Sequence, residues 1–401
     1  MSKVFLVAAK RTPLGSFNGA LKTIPAADLA ATAIKAALAQ ANVPADAVDE
    51  VILGNVIGAN QGMGPGRQAV LNSGLPETVP GYSLNMVCGS GMKTVMDAAA
   101  HIKAGDAEVV VAAGAENMSQ IPFALPGTLR DGQKMGGVEM VDLLIKDGLT
   151  DVFNQFHMGV TAENVVEVVG LDRQQQDSFA LASQQKAIAA IEAGRFKGEI
   201  AAVEVTSRKG TKVVDTDEYP KADASAEGLA KLRAAFKKEG SVTAGNASGI
   251  NDGGSAIIVA SEAAVEKYGL TPLAEVVSYA QAGLDPKVMG LGPVPAVSKA
   301  LEKAELAIQD IDLFELNEAF AGQALGVAHQ LAQQHDTNVD AILERSNVNG
   351  GAIALGHPLG ASGNRIIVTL LHEMRRRNNR YGVASLCVGG GMGTAIILKA
   401  I

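Results

Sequence analysis

Short aliphatic and β-branched runs alternate with longer helical patterns along this chain, and the alternation occurs twice. Residues 4–8, 50–56, 82–87 and 108–113 read as strands, with helices at 26–40, at 67–73 and after Gly91. Strands separated by helices predict a mostly parallel sheet with helical cover, an α/β fold. From Val294 the same grammar returns. A helix at 294–304, a strand at 312–316, and helices at 319–333 and 364–377 precede two closing strands hinged at Cys387. The repeat is one of pattern rather than residue identity, and it predicts two similar halves with a site where they meet.

Between them, residues 121–245 have a different texture. Proline, glycine and charge rise, and stretches such as RKGTKVVDTDEYPKADAS separate the helices. So long a segment between regular regions reads as an inserted functional subdomain. The expected organisation is residues 1–120 with 246–270 as the first half, 121–245 as the insert and 271–401 as the second half. At about 100 to 200 residues per domain, a chain of 401 residues has room for this.

Composition narrows the function classes. A net charge of −8 without a long basic run argues against nucleic acid as a partner. No apolar run approaches the roughly 18 residues of a membrane span. Residues 4–9 are too short for a signal-peptide core and read as the first strand. Two distant cysteines predict reduced thiols in a cytoplasmic protein. The histidines and cysteines never fall at zinc-ligand spacing, so no metal site is expected. No phosphate-binding GxxxxGK[ST] loop is present, and the GPGRQA stretch at Gly64 lacks the acidic residue that would hold a ribose.

Four glycine-rich seams carry the reactive residues. In SLNMVCGSGMKTVMD, Cys88 sits where a strand meets an amphipathic helix. Gly89 and Gly91 are expected to permit the turn, and the helix N-terminus to favour a thiolate. His357 lies in NVNGGAIALGHPLGASGNRI, its backbone restricted by Pro358. Asn317 and Glu318 stand at a strand-to-helix turn in ELNEAFAGQAL, and Cys387 lies in SLCVGGGMG. Taken singly, Asn317 also fits an N-cap, His357 a satisfied loop residue and either cysteine a core residue.

In this order, Cys-Gly-Ser-Gly, Asn-Glu-Ala-Phe, Gly-His-Pro-Leu-Gly-Ala-Ser-Gly and Cys-Val-Gly-Gly-Gly-Met-Gly resemble the thiolases over essentially the whole chain. The resemblance implies two α/β halves in a five-layered αβαβα sandwich, with residues 121–245 as a loop domain that binds coenzyme A. It implies reversible Claisen condensation of two acetyl-CoA to acetoacetyl-CoA and CoA, without a permanently bound cofactor. Cys88 would carry the acetyl group, His357 would deprotonate it, and Cys387 would take the proton from the second acetyl-CoA. His357 and a water on Asn317 would hold the enolate oxygen, and the backbone N–H groups of Cys88 and Gly389 the thioester oxygen.

His157-Met158 before Gly159 resembles the short-chain biosynthetic members. Ser248, Ala319 and Phe320 are expected along the pantetheine tunnel, and Lys221 near the CoA nucleotide, where arginine is common. LRDGQKMGGVEM lies where relatives join dimers, which implies a homotetramer, a dimer of dimers. Three alternatives stay open at this point. They are a degradative 3-ketoacyl-CoA thiolase of broader chain length, a ketoacyl synthase, and a non-catalytic acyl-CoA-binding protein.

Overall fold

The computed structural model describes residues 3–401, and the alternation seen in the sequence becomes five layers in it. The first half supplies β1 (Val4–Arg11), α1 (Ala26–Ala41), β2 (Glu50–Gly54), α2 (Pro65–Asn72), β3 (Gly81–Leu84), α3 (Ser90–Ala104) and β4 (Val109–Asn117). The insert contributes α4 (Met158–Val169) and α5 (Arg173–Glu192), and the chain then returns as β5 (Asn251–Ser261). The second half is β6 (Ala274–Gly283), α6 (Pro293–Ala304), β7 (Leu313–Leu316), α7 (Ala321–Gln334), α8 (Leu359–Arg377), β8 (Tyr381–Val388) and β9 (Met392–Ala400).

These strands form one sheet in the order β7-β8-β9-β6-β1-β5-β4-β2-β3, with the two-residue strand Gly15–Ser16 beside β5. The sheet is mixed, not mostly parallel. Only β2 with β3, β2 with β4 and β7 with β8 run parallel. The long central strands β4, β5, β1, β6, β9 and β8 pair antiparallel in sequence along the sheet. The cause is a strand in each half that enters between two others, β5 between β1 and β4 after the insert and β9 between β6 and β8 at the close. Strand direction is a long-range property that local periodicity does not carry. The halves join where Phe5 and Leu6 pair with Glu275 and Ala274.

Helices α1 and α2 cover the outer face of the first half, and α6 and α7 that of the second. In α1, Leu29, Ala30, Ala33, Ile34 and Ala37 fall on the buried stripe, and Asn42 ends the helix in the left-handed region. The middle layer is α3 and α8, packed against each other and against strands of both halves. Helix α8 starts at Leu359, five residues before the expected position, and is buried continuously to Leu371. Its glycines are there for close approach. A Cβ on Gly360 would stand 2.6 Å from the Ala115 carbonyl oxygen, and one on Gly91 of α3 would stand 2.7 Å from the Asn364 nitrogen.

The insert is pinned to the sheet by charge. Arg11 of β1 is fully buried and donates to Glu199 at 2.6 Å and to both carboxylate oxygens of Asp217 at 2.7 and 2.9 Å. Asp172 and Gln175 form a reciprocal capping box that fixes the start of α5.

Candidate active site

Cys88 leaves β3 through a strained turn. Val87 carries φ +48°, a left-handed conformation that costs a β-branched residue about 1–3 kcal/mol. Gly89 has ordinary right-handed angles instead, so the expected glycine turn is in fact a valine turn. Gly89 serves proximity: a Cβ there would meet Val388 at 2.9 Å. Three bonds hold the strained residue. The Asn85 side chain accepts from Val87 N–H at 2.9 Å, Ser90 Oγ accepts from Met86 N–H at 2.9 Å, and Ser90 Oγ–H donates to the Val87 carbonyl at 2.7 Å.

Cys88 opens onto a cavity of about 360 Å³ that His357 and Cys387 also line. Burial pushes the Cys88 thiol up to about 11, against the pull of its own backbone N–H and that of Gly389, which both point at the sulfur. Desolvation therefore outweighs those two N–H groups and pushes Cys88 toward the thiol form, against the expected thiolate. Cys387, fully buried on β8, is also raised, by burial first and then by the neighbouring Cys88.

Each nitrogen of His357 is set by its surroundings. The Ser362 hydroxyl gives its single proton to the Pro358 carbonyl at 2.9 Å, so at 2.6 Å from His357 Nδ1 it must accept. The proton is thus assigned to Nδ1. Nε2 is buried without a protein partner and presents a lone pair. Burial, and then the charge of Arg365, lower His357 to about 4, so the ring is neutral at neutral pH, with Nε2 open to a proton. Its backbone N–H donates to Asn251 Oδ1 at 3.0 Å, and Gly356 at φ +110° allows that asparagine to press against the loop.

The other predicted residues divide into three groups. His157, Met158, Ser248, Ala319 and Phe320 line the same cavity. Asn317 directly follows β7, two residues before the lining Ala319, with both side-chain amide atoms buried and without a protein partner, and does not itself form the lining. Lys221 lies outside the cavity, exposed on the insert, with its ammonium 5.6 Å from the Tyr219 ring centroid. Tyr219 itself lines both the cavity and this outer recess.

Two lining aromatics escaped the sequence reading. Phe236 stacks on His157 at 4.7 Å and meets Phe320 edge-on at 6.1 Å, and together they narrow the cavity. His157 Nδ1 accepts from Gly159 N–H at 3.0 Å, which fixes the ring for that stack. Nothing local in an irregular stretch marks Phe236 or Tyr219. Ser362 had a signal, its place on the first turn after His357.

A neutral base beside a thiol, two N–H groups aimed at the sulfur and a second thiol are the parts of covalent acyl transfer. Among the described residues, no group of three or more His, Cys, Asp or Glu gathers in metal-binding fashion.

Comparison with known proteins agrees with this chemistry. An acetyl-CoA acetyltransferase of Chromobacterium violaceum is 54% identical over 398 residues, 99% of each chain. The solved acetyl-CoA acetyltransferase of Syntrophomonas wolfei superposes with a TM-score of 0.97 at 40% identity, covering 100% of both chains. Human mitochondrial 3-ketoacyl-CoA thiolase in complex with CoA gives 0.94 at 44%, over 100% of this chain and 98% of that one. The thiolase N-terminal domain family matches residues 4–263 and the thiolase C-terminal domain family residues 270–400. The chain belongs to the thiolase family.

Proposed function

We propose that this enzyme is an acetyl-CoA C-acetyltransferase, an acyltransferase that condenses two acetyl-CoA to acetoacetyl-CoA and CoA and runs the reverse thiolysis. The observation that carries the reading is the single cavity in which Cys88, Cys387 and the free Nε2 of His357 meet. Cys88 Sγ attacks the thioester carbonyl as its proton passes to His357 Nε2. The oxyanion is held by the N–H groups of Cys88 and Gly389, the pair that faces the sulfur at rest. The departing CoA thiolate takes the Cys387 proton, which leaves acetyl-Cys88, a Cys387 thiolate and an imidazolium.

Cys387 then takes a proton from the methyl group of the second acetyl-CoA. Nε2–H of His357 and a water on Asn317 hold the enolate oxygen, which gives the unpartnered amide of Asn317 a role. The enolate carbon attacks acetyl-Cys88, Cys88 leaves, and the His357 proton returns to it. All three side chains end as they began, so the cycle closes without another reactant. In thiolysis the same steps run backward, with Cys387 activating the CoA thiol.

The insert 121–245 is assigned to CoA, with Ser248, Ala319, Phe320 and Met158 along the pantetheine and Lys221 near the nucleotide. Residues 1–120 with 246–270, and 271–401, are the two catalytic halves. Exposed Phe123, Met135 and Met140 in the insert support assembly of this chain with further copies, as a dimer of dimers. Two unpaired cysteines fit a cytoplasmic enzyme.

A second reading, a degradative 3-ketoacyl-CoA thiolase, draws on the likeness to the human enzyme of that name. The short-chain reading rests on the wall made by His157, Phe236, Phe320 and Met158. Overlap with that wall costs about 1–3 kcal/mol, more than the ~0.8 kcal/mol returned by burying one CH₂. Thiolysis across a chain-length series decides between them. Fast acetoacetyl-CoA cleavage that collapses at six carbons is the expected result, and opening the wall with Met158→Ala should relax the limit. Flat kcat/KM values from four to ten carbons would establish the degradative reading, and CoA binding without turnover would establish a binding protein.

A further inference from the structure

One buried carboxylate outside the cavity touches the supports of both catalytic loops. Glu116, fully buried near the end of β4, accepts four hydrogen bonds. Oε1 takes Asn55 Nδ2 at 3.1 Å and Ile57 N–H at 3.2 Å. Oε2 takes Val56 N–H at 2.9 Å and Gly360 N–H at 3.0 Å. Four donors and no acceptor suit an ionised carboxylate, held at the N-terminus of the 19-residue helix α8.

Each set of donors leads to a reactive residue. Gly360 lies three residues beyond His357, and it can sit against Glu116 only because it lacks a Cβ, which would stand 2.7 Å from Oε2. In the other direction, the Val56 carbonyl accepts from Asn85 Nδ2 at 3.0 Å, and Asn85 Oδ1 accepts from Val87 N–H at 2.9 Å. Val87 is the strained residue that presents Cys88. Three hydrogen-bonded steps therefore run from Glu116 to Val87, the residue before the nucleophile, and one to the base loop. Four neutral contacts could have stabilised these loops separately, whereas a single rigid carboxylate fixes the position of one relative to the other.

We infer that Glu116 is the positioning residue that sets the Cys88 thiol against His357 Nε2. The inference rests on the acyl-transfer reading given above. Glu116 also acts through its charge, which raises the Cys88 thiol, while burial pushes its own carboxyl up to about 7.

Glu116→Gln keeps the shape of the side chain but turns one acceptor oxygen into a donor that faces N–H groups. Misplacement of the reacting groups by about 1 Å typically costs on the order of 100-fold in rate. The test compares wild type, Glu116→Gln and Asn85→Ser in radiolabelled acetylation of Cys88, steady-state thiolysis of acetoacetyl-CoA, and the pH dependence of Cys88 alkylation by iodoacetamide. In Glu116→Gln, kcat should fall by about 100-fold with KM for CoA unchanged. Its alkylation profile should move to lower pH, because the neighbouring negative charge is gone. General loosening would also hydrate Cys88 and acidify its thiol, so the unchanged KM for CoA is what separates lost positioning from it.

Asn85→Ser removes the Nδ2 donor to the Val56 carbonyl and so breaks the relay between Glu116 and Val87, at an exposed position, and should reproduce the loss of kcat without the alkylation shift. If Glu116→Gln does not fold, Asn85→Ser decides alone, and wild-type kcat in that variant overturns the proposal. Wild-type kcat in Glu116→Gln, or kcat and KM deteriorating together, overturns it as well. Failure of the wild-type enzyme to take up acetyl would instead refute the acyl-transfer reading.

Discussion

Replacing Ser362 with alanine tests how His357 is held as a base. Ser362 is fully buried on the first turn of α8, and its Oγ accepts the His357 Nδ1 proton at 2.6 Å. Alanine fits the helix, so backbone and packing stay in place. What changes is the ring. With its acceptor removed, the Nδ1–H is either buried unpaired, at about 1–3 kcal/mol, or moves to Nε2 and removes the lone pair that must take the thiol proton. At 1.36 kcal/mol per tenfold, acetylation of Cys88 should slow by about ten- to hundredfold, with KM for acetyl-CoA little changed. Single-turnover acetylation with radiolabelled acetyl-CoA measures this step before the second substrate acts. A Ser362→Ala enzyme that acetylates at the wild-type rate would refute the assigned tautomer and the role of Nε2.

Three further outcomes follow from charge. Because His357 is lowered to about 4, its own protonation should lower kcat/KM for acetylation only as pH approaches 4, and not in the ordinary histidine range near 6.5. The same depression means that the unfolded chain binds this proton first. His357 thus contributes stability that is fully present above about 6.5 and lost as pH falls to 4. An acid limb centred near 6.5 that persists in Glu116→Gln, whose amide does not titrate there, contradicts the assignment. Arg11→Met strands Asp217 and Glu199 in the interior and should cost about 3–5 kcal/mol in urea unfolding. A loss below about 1 kcal/mol, as for an exposed pair, would show that the insert is not held by this cluster.

Much of this was legible in the sequence because it is local. Helix α1 spans Ala26–Ala41 against an expected 26–40, since its alanines and leucines repeat with helical period and need no partner to declare it. The reactive seams at Cys88, His357 and Cys387 stood out because nucleophiles and bases set among glycines are rare combinations. What stayed hidden depends on distant parts of the chain. The direction of β5 is decided by its slot between β1 and β4, after an insert of well over a hundred residues. Helix α8 hides its first turn because Gly360 and Gly363 read as loop, and only the strand and helix pressed against them explain glycine there. Burial at Cys88 outweighs the N–H groups that favour a thiolate, a contest that periodicity cannot settle. Phe236, Glu116 and Tyr219 are ordinary residue types in ordinary company, and only folding brings them to the site.

The division of labour between the two cysteines is the claim on which the account stands, and acetyl transfer from radiolabelled acetyl-CoA tests it most directly. Cys387→Ala should still acquire label on Cys88 yet neither form nor break the carbon–carbon bond of acetoacetyl-CoA. Cys88→Ala should acquire none. Label on the Cys88→Ala enzyme together with none on Cys387→Ala would contradict the account and invert the roles.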